Sequence, residues 1–102
     1  QKQIDGSLDE VLPMGNIANK FKAFDWKVLE IKKGNNINDV IDVLNEAKSL
    51  CGNGKPICII MHTEMGNGVD FMMGTHKWHG VAPNDEQLTD ALNQNPESLG
   101  DY

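Results

Sequence analysis

The chain has 102 residues, 39% of them hydrophobic and 24% charged, with a formal net charge of −6 and a pI near 4.8. That length holds one modest domain with one modest core, and it excludes a chain that encloses a large cofactor unaided. The acidic balance argues against nucleic acid or an anionic membrane surface as partner, since either wants a basic face; a phosphorylated small molecule stays compatible, because local amides and a bound cation outweigh overall charge.

Residues 1–13 form a polar lead-in, with a turn signal at Asp5-Gly6 and Pro13 biasing Leu12 away from helix. A short helix is expected from Asn16 to Phe24, with Ile17, Phe21 and Phe24 on its apolar side. Trp26–Ile31 reads as a strand, and Gly34-Asn35-Asn36 ends it. Ile37, Val40, Ile41, Leu44, Ala47 and Leu50 then recur at the three-and-four spacing of an amphipathic helix. Asn36 is its natural N-cap, Asp39 suits the first turn, and Lys48 and Gly52 mark its end. Lys55-Pro56 opens a second strand, Ile57–Met61, whose apolar residues fall on both faces, as in a parallel strand covered by helices. Strand, helix and strand make one βαβ unit, for which a right-handed crossover is expected.

Residues 64–83 show neither helix nor strand periodicity, and a loop of that length in a compact domain is usually functional or disordered. After Pro83, Asn84 can cap a helix, with Gln87 in the reciprocal capping-box position and Leu88, Ala91 and Leu92 on one side. The domain is expected to span 1–92, followed by a polar tail over 93–102. No apolar run approaches the ~20 residues of a membrane span, and no signal peptide is visible. The chain opens on Gln1 rather than methionine, which suggests processing or a longer parent protein. Two cysteines, Cys51 and Cys58, fit reduced thiols in a cytoplasmic protein better than a disulfide framework.

The chemistry concentrates where the second strand ends. Thr63-Glu64-Met65-Gly66-Asn67-Gly68 is followed by Gly74-Thr75-His76-Lys77-Trp78-His79-Gly80. Ligands of open α/β sheets sit where strands deliver their C-terminal ends into loops, and exposed backbone amides with nearby imidazoles suit a polar or anionic ligand. Gly66-x-Gly68 is neither a dinucleotide fingerprint, since Phe71 holds the third glycine position, nor a P-loop. His76 and His79, three apart in a loop, could be an exposed loop residue and a structural imidazole; Cys58 and His62 do not complete a zinc shell with them. Trp78 is either a ligand platform or a plug against the domain. Met72 and Met73 either form a surface that another chain covers or pack back on this one.

Taken together, these motifs resemble the thiamine-diphosphate-binding N-terminal region of transketolases, especially where that region is a separate subunit. The resemblance is carried by Ile4-Asp5-Gly6, by Lys20-Phe21-x-Ala23-Phe24-x-Trp26-x-Val28, by Lys55-Pro56 before the apolar strand, by Thr63-x-x-Gly66-x-Gly68, and by His76-x-Trp78-His79-Gly80-x-Ala82-Pro83. It implies an incomplete α/β fold, the βαβ portion of a parallel helix-covered sheet of the thiamine-diphosphate-binding type. It implies a transferase of the pentose phosphate pathway that moves a two-carbon ketol unit between sugar phosphates, with thiamine diphosphate and Mg2+ or Ca2+ as cofactors. By the resemblance, His76 reaches cofactor and substrate oxygens and is the catalytic residue. Ile4 packs by the cofactor, and the Lys2 main-chain carbonyl is a metal ligand, as suits a hard cation.

The family's Gly-Asp-Gly run, its asparagine before the position of Gln1 and its upstream histidines have no counterpart here. The chain is therefore expected to be the C-terminal part of the cofactor domain, needing the remaining domains or a partner subunit. The intact enzyme is expected to be a homodimer or paired-subunit assembly. Alone, the chain is expected to be inactive and to bind thiamine diphosphate weakly or not at all. Other readings are a different thiamine-diphosphate enzyme, such as a deoxyxylulose phosphate synthase or a dehydrogenase component, and a non-catalytic α/β interaction module.

Overall fold

A computed structural model of the chain describes residues 2–3 and 6–96. Its centre is the expected βαβ unit: β3 (Lys27–Ile31), α3 (Ile37–Leu50) and β4 (Ile57–Met61), with β3 and β4 paired in parallel from Lys27↔Ile57 to Ile31↔Met61. Before it come β1 (Lys2–Gln3) and β2 (Gly6–Ser7), which pair as a small antiparallel hairpin, then α1 (Leu8–Val11) and α2 (Ile17–Ala23). After it come a single 3-10 turn, Asp70–Met72, and α4 (Asp85–Gln94). The polar lead-in thus holds short paired strands where sequence suggested only a turn; Asp5 of that turn signal lies outside the described residues.

Alternation along the strands decides which helix covers which face. Leu29 and Ile31 point to one face with Ile57 and Ile59, and there they meet Val43 and Ala47 of α3; Val40 and Leu50 close the cluster. Glu30, Ile60 and His62 lie on the other face, in a cleft whose remaining wall is the first turn of α2. Helices therefore flank the small sheet on both sides, an α/β layer arrangement. Burying the side chains of Leu29, Ile31 and Val43, each under a tenth exposed, contributes roughly 1.5–3 kcal/mol apiece.

Helix α3 begins where Asn36 caps it: the side chain accepts from the Asp39 amide at 3.1 Å. Its apolar stripe is wider than the sheet it covers. Ile37, Ile41 and Leu44 stay exposed, because the four residues that meet the sheet or its rim use the adjacent stripe. Strand β4 also departs from expectation: Ile57 to Ile60 are half-buried and Met61 is exposed, since among the described elements only β3 pairs with it. Helix α2 ends one residue early. Phe24 is its C-cap, with 80% of its surface exposed, so the apolar side is Ile17, Ala18 and Phe21. Phe21 instead pairs edge-on with Trp26 at 5.2 Å. Cys51 and Cys58 are free thiols. No described helix is long and apolar enough to cross a membrane.

Candidate functional site

The parallel strands finish together, and their exits are stitched by backbone. The His62 amide donates to Ile31 O at 2.9 Å, and the Gly34 amide donates to His62 O at 2.8 Å. Gly34 must be small: a Cβ there would sit 2.9 Å from His62 O and 3.0 Å from Thr63 Cγ2. The Asn35 carboxamide accepts from the Glu64 amide at 2.6 Å, tying the turn after β3 to the segment after β4. Between them opens a cleft of about 610 Å³ lined by Lys32, Lys33, Asn35, Thr63, Glu64 and neighbouring residues. Lys32 and Lys33 are exposed and make no ion pair among the described residues. This is the carboxyl end of a parallel sheet, where ligands of such folds sit. Sequence reasoning passed over the two lysines; their place between a strand and a helix N-cap was the available signal.

Beyond Glu64 the long loop folds on itself. Gly66 has φ +73°, a conformation that L side chains rarely adopt, and a Cβ there would lie 2.5 Å from Met72 O. The Val69 amide closes a turn onto Gly66 O at 3.1 Å, and the 3-10 turn Asp70–Met72 follows. The Trp78 indole donates to Phe71 O at 3.0 Å, and the two rings stand 5.3 Å apart. Trp78 is thus a plug within the loop. A small cavity of about 230 Å³ remains between Met65, Gly66, Met72, Trp78 and His79. The methionines part company: Met72 lines that cavity, while Met73 is exposed.

His76 sits in the middle of this loop, half-buried, and its imidazole has no hydrogen-bond partner among the described residues. The main chain around it is ordered by the His79 amide, which donates to His76 O at 3.0 Å, and by the Lys77 amide, which donates to Thr75 Oγ1 at 3.3 Å. The segment leading into it passes beside the strand exit, since a Cβ on Gly74 would be 3.5 Å from Glu64 Oε1. His79 is exposed, and His62 bonds the Glu30 carboxylate at 2.7 Å on the α2 side. The three histidines serve different surroundings, and no group of three or more His, Cys, Asp or Glu among the described residues could hold a metal.

Of the other expected site residues, Lys2 lies in β1, opposite Ser7, and Ile4 falls outside the described residues. No hydrogen bond among the described residues joins the Lys2 strand to the His76 loop. A half-buried imidazole with open hydrogen-bonding capacity fits a polar group of a bound cofactor. The described residues supply too few oxygens for a divalent cation, so the Lys2 carbonyl could be one ligand of a set completed elsewhere.

Sequence comparison agrees with this geometry. The family described as "Transketolase, thiamine diphosphate binding domain" matches residues 1–97. One of the two subunits of an apulose-4-phosphate transketolase from Phocaeicola vulgatus is 34% identical over 97 residues, which is 95% of this chain and 34% of that protein. The 6-deoxy-6-sulfo-D-fructose transketolase subunit SqwG of a Clostridium species is 32% identical over 90 residues, 88% of this chain and 32% of that protein. A transketolase of Geobacillus stearothermophilus is 34% identical over 80 residues, 76% of this chain and 12% of that protein. The chain spans about a third of the length of the subunit-type relatives it matches.

Proposed function

The chain belongs to the transketolase thiamine diphosphate binding domain family, and from that membership we propose that it supplies one wall of the cofactor site in a cytoplasmic enzyme that moves a two-carbon ketol unit between sugar phosphates. When bound, thiamine diphosphate supplies the carbanion chemistry of that transfer. The role of this chain is to bind, orient and manage protons. His76 is placed for it: an imidazole gives or takes a proton near neutral pH, and here it is half-buried, held by ordered backbone and free to bond a ligand oxygen. That imidazole, on a segment that passes the exit of β4, is the observation that carries the reading. The Lys2 carbonyl offers a hard oxygen to Mg2+ or Ca2+, and Ile4 an apolar side chain to the cofactor. The remaining ligands come from other domains or a partner subunit, within a homodimeric or paired-subunit enzyme of the pentose phosphate pathway.

The test uses the chain assembled with its complementary region or subunit. Xylulose 5-phosphate plus ribose 5-phosphate should turn over in a thiamine-diphosphate-dependent way, and pyruvate plus glyceraldehyde 3-phosphate should not. His76→Ala should lower kcat by about 10²–10⁴ while the assembly stays intact. Full activity in that variant would remove the proposed catalytic role of His76 and favour an interaction module.

A further inference from the structure

Helix α4 is attached to the His76 loop by polar side chains at its very end. Gln94 grips Asp70 twice: its Oε1 accepts from the Asp70 amide at 2.8 Å, and its Nε2 donates to Asp70 Oδ1 at 2.9 Å. Asn95, the C-cap, donates through Nδ2 to Gly68 O at 3.1 Å. Apolar packing does not substitute for these bonds, because Leu88 and Leu92 on the same helix are both exposed. From Asp70 the connection continues without a gap. The same Oδ1 accepts from the Phe71 amide at 2.6 Å. Phe71 O then receives the Trp78 indole at 3.0 Å, and Trp78 lies inside the turn that the His79 amide closes onto His76 O.

We propose that Gln94, through Asp70, Phe71 and Trp78, is a positioning residue that sets where the His76 imidazole stands. The proposal rests on the reading of His76 as the catalytic residue and extends it to a side chain 18 positions away in sequence. The logic is geometric. Loop 64–83 contains no long helix or strand to stiffen it, so its shape depends on turns and on these few side-chain bonds. A displacement of about 1 Å at a reacting group can cost about 100-fold in rate. Gln94 touches no ligand in this arrangement; it acts on the chemistry only through the loop.

The experiment is Gln94→Ala in the assembled, thiamine-diphosphate-loaded enzyme, with Asn84→Ala as control, since Asn84 caps the opposite end of α4 and touches nothing in the loop. Two readouts are needed. One is kinetic: Gln94→Ala should lower kcat about 10- to 100-fold with a smaller change in KM, and Asn84→Ala should leave kcat within about twofold. The other is independent of activity: hydrogen exchange of the Trp78 indole, identified by its loss in Trp78→Phe, should accelerate in Gln94→Ala and not in Asn84→Ala. Unchanged indole exchange in Gln94→Ala overturns the proposal whatever the rate does. Faster exchange with an unchanged kcat also overturns it, provided His76→Ala is inactive. If His76→Ala is itself fully active, it is the catalytic reading that falls, and the positioning role falls with it.

Discussion

The βαβ unit and the loop that follows it are built from different forces. In β3, α3 and β4, apolar side chains exclude water from one face of a sheet, and the backbone bonds are regular. In loop 64–83 no residue is fully buried. Its shape comes from turns, one indole bond and a polar grip from α4. The first region gains stability in proportion to the area it buries. The second gains about 1 kcal/mol per net hydrogen bond and must offset the entropy of ordering a long segment. A scaffold held by burial next to a loop held by a few bonds is the expected division between support and binding surface.

The largest predicted effect breaks the scaffold. Leu29→Ala removes a side chain that is 8% exposed and touches both the α3 packing and the strand pair. A loss of about 2–5 kcal/mol is expected. Amide hydrogen exchange should show β3, α3 and β4 opening together, with the loop losing protection too because its anchor has gone. Retained protection in β4 would mean that the cluster is not one cooperative unit.

Gly66→Ala should separate the two regions. The new Cβ must adopt φ +73° and lies against the Met72 carbonyl, so the loop has to move. A cost of about 1–3 kcal/mol is expected, confined to exchange in 64–83. The strand pair should keep its protection, since its bonds end at Gly34 and His62. Equal loosening of β3 and β4 would show that the loop supports the sheet as much as the sheet supports the loop.

The same division explains what could be read from the sequence. Strand and helix periodicities are local, so Trp26–Ile31, the Asn36 cap with Asp39, and Ile57–Met61 were legible to within a residue of their observed bounds. The capping box of Asn84 and Gln87 was legible for the same reason, and both of its bonds are present. The end of α4 was not. Asn93 and Gln94 read as polar tail, yet the helix runs through them, stabilised by partners 24 and 27 residues away at Asp70 and Gly68. No periodicity reports a contact of that kind. The site was half legible. The order of motifs placed His76 in a loop after β4, but its half-burial depends on how Trp78 and Gly66 fold that loop. The cleft beside Lys32 and Lys33 forms only when two strand exits meet.

A milder test compares the two helix caps. Asn36→Ala and Asn84→Ala each remove one side-chain bond to a first-turn amide, worth about 1 kcal/mol. The chemistry is the same, but the context is not. Helix α3 carries core residues Val43 and Ala47, so its cap should show up as lower stability of the whole βαβ unit. No residue of α4 is fully buried, so its cap should show up as local fraying over Asp85–Leu88 only. Identical global effects would contradict the separation of the two regions.

The smallest effect is expected at the opposite end of the sheet, where Lys55 and Asp25 form an ion pair across the starts of the two strands. Both side chains are more than half exposed, at 54% and 78%. Water and salt therefore screen the attraction, and holding two mobile side chains offsets much of what is left. The strand starts are already joined by the Lys27 amide, which donates to Pro56 O at 2.9 Å. Lys55→Ala should change stability by less than about 1 kcal/mol, and exchange of the Lys27 amide should stay slow. A larger loss, diminishing in high salt, would show that charge helps to hold the strand pair, and the contrast between a core-held scaffold and a bond-held loop would then need a third, electrostatic contribution at the sheet's amino end.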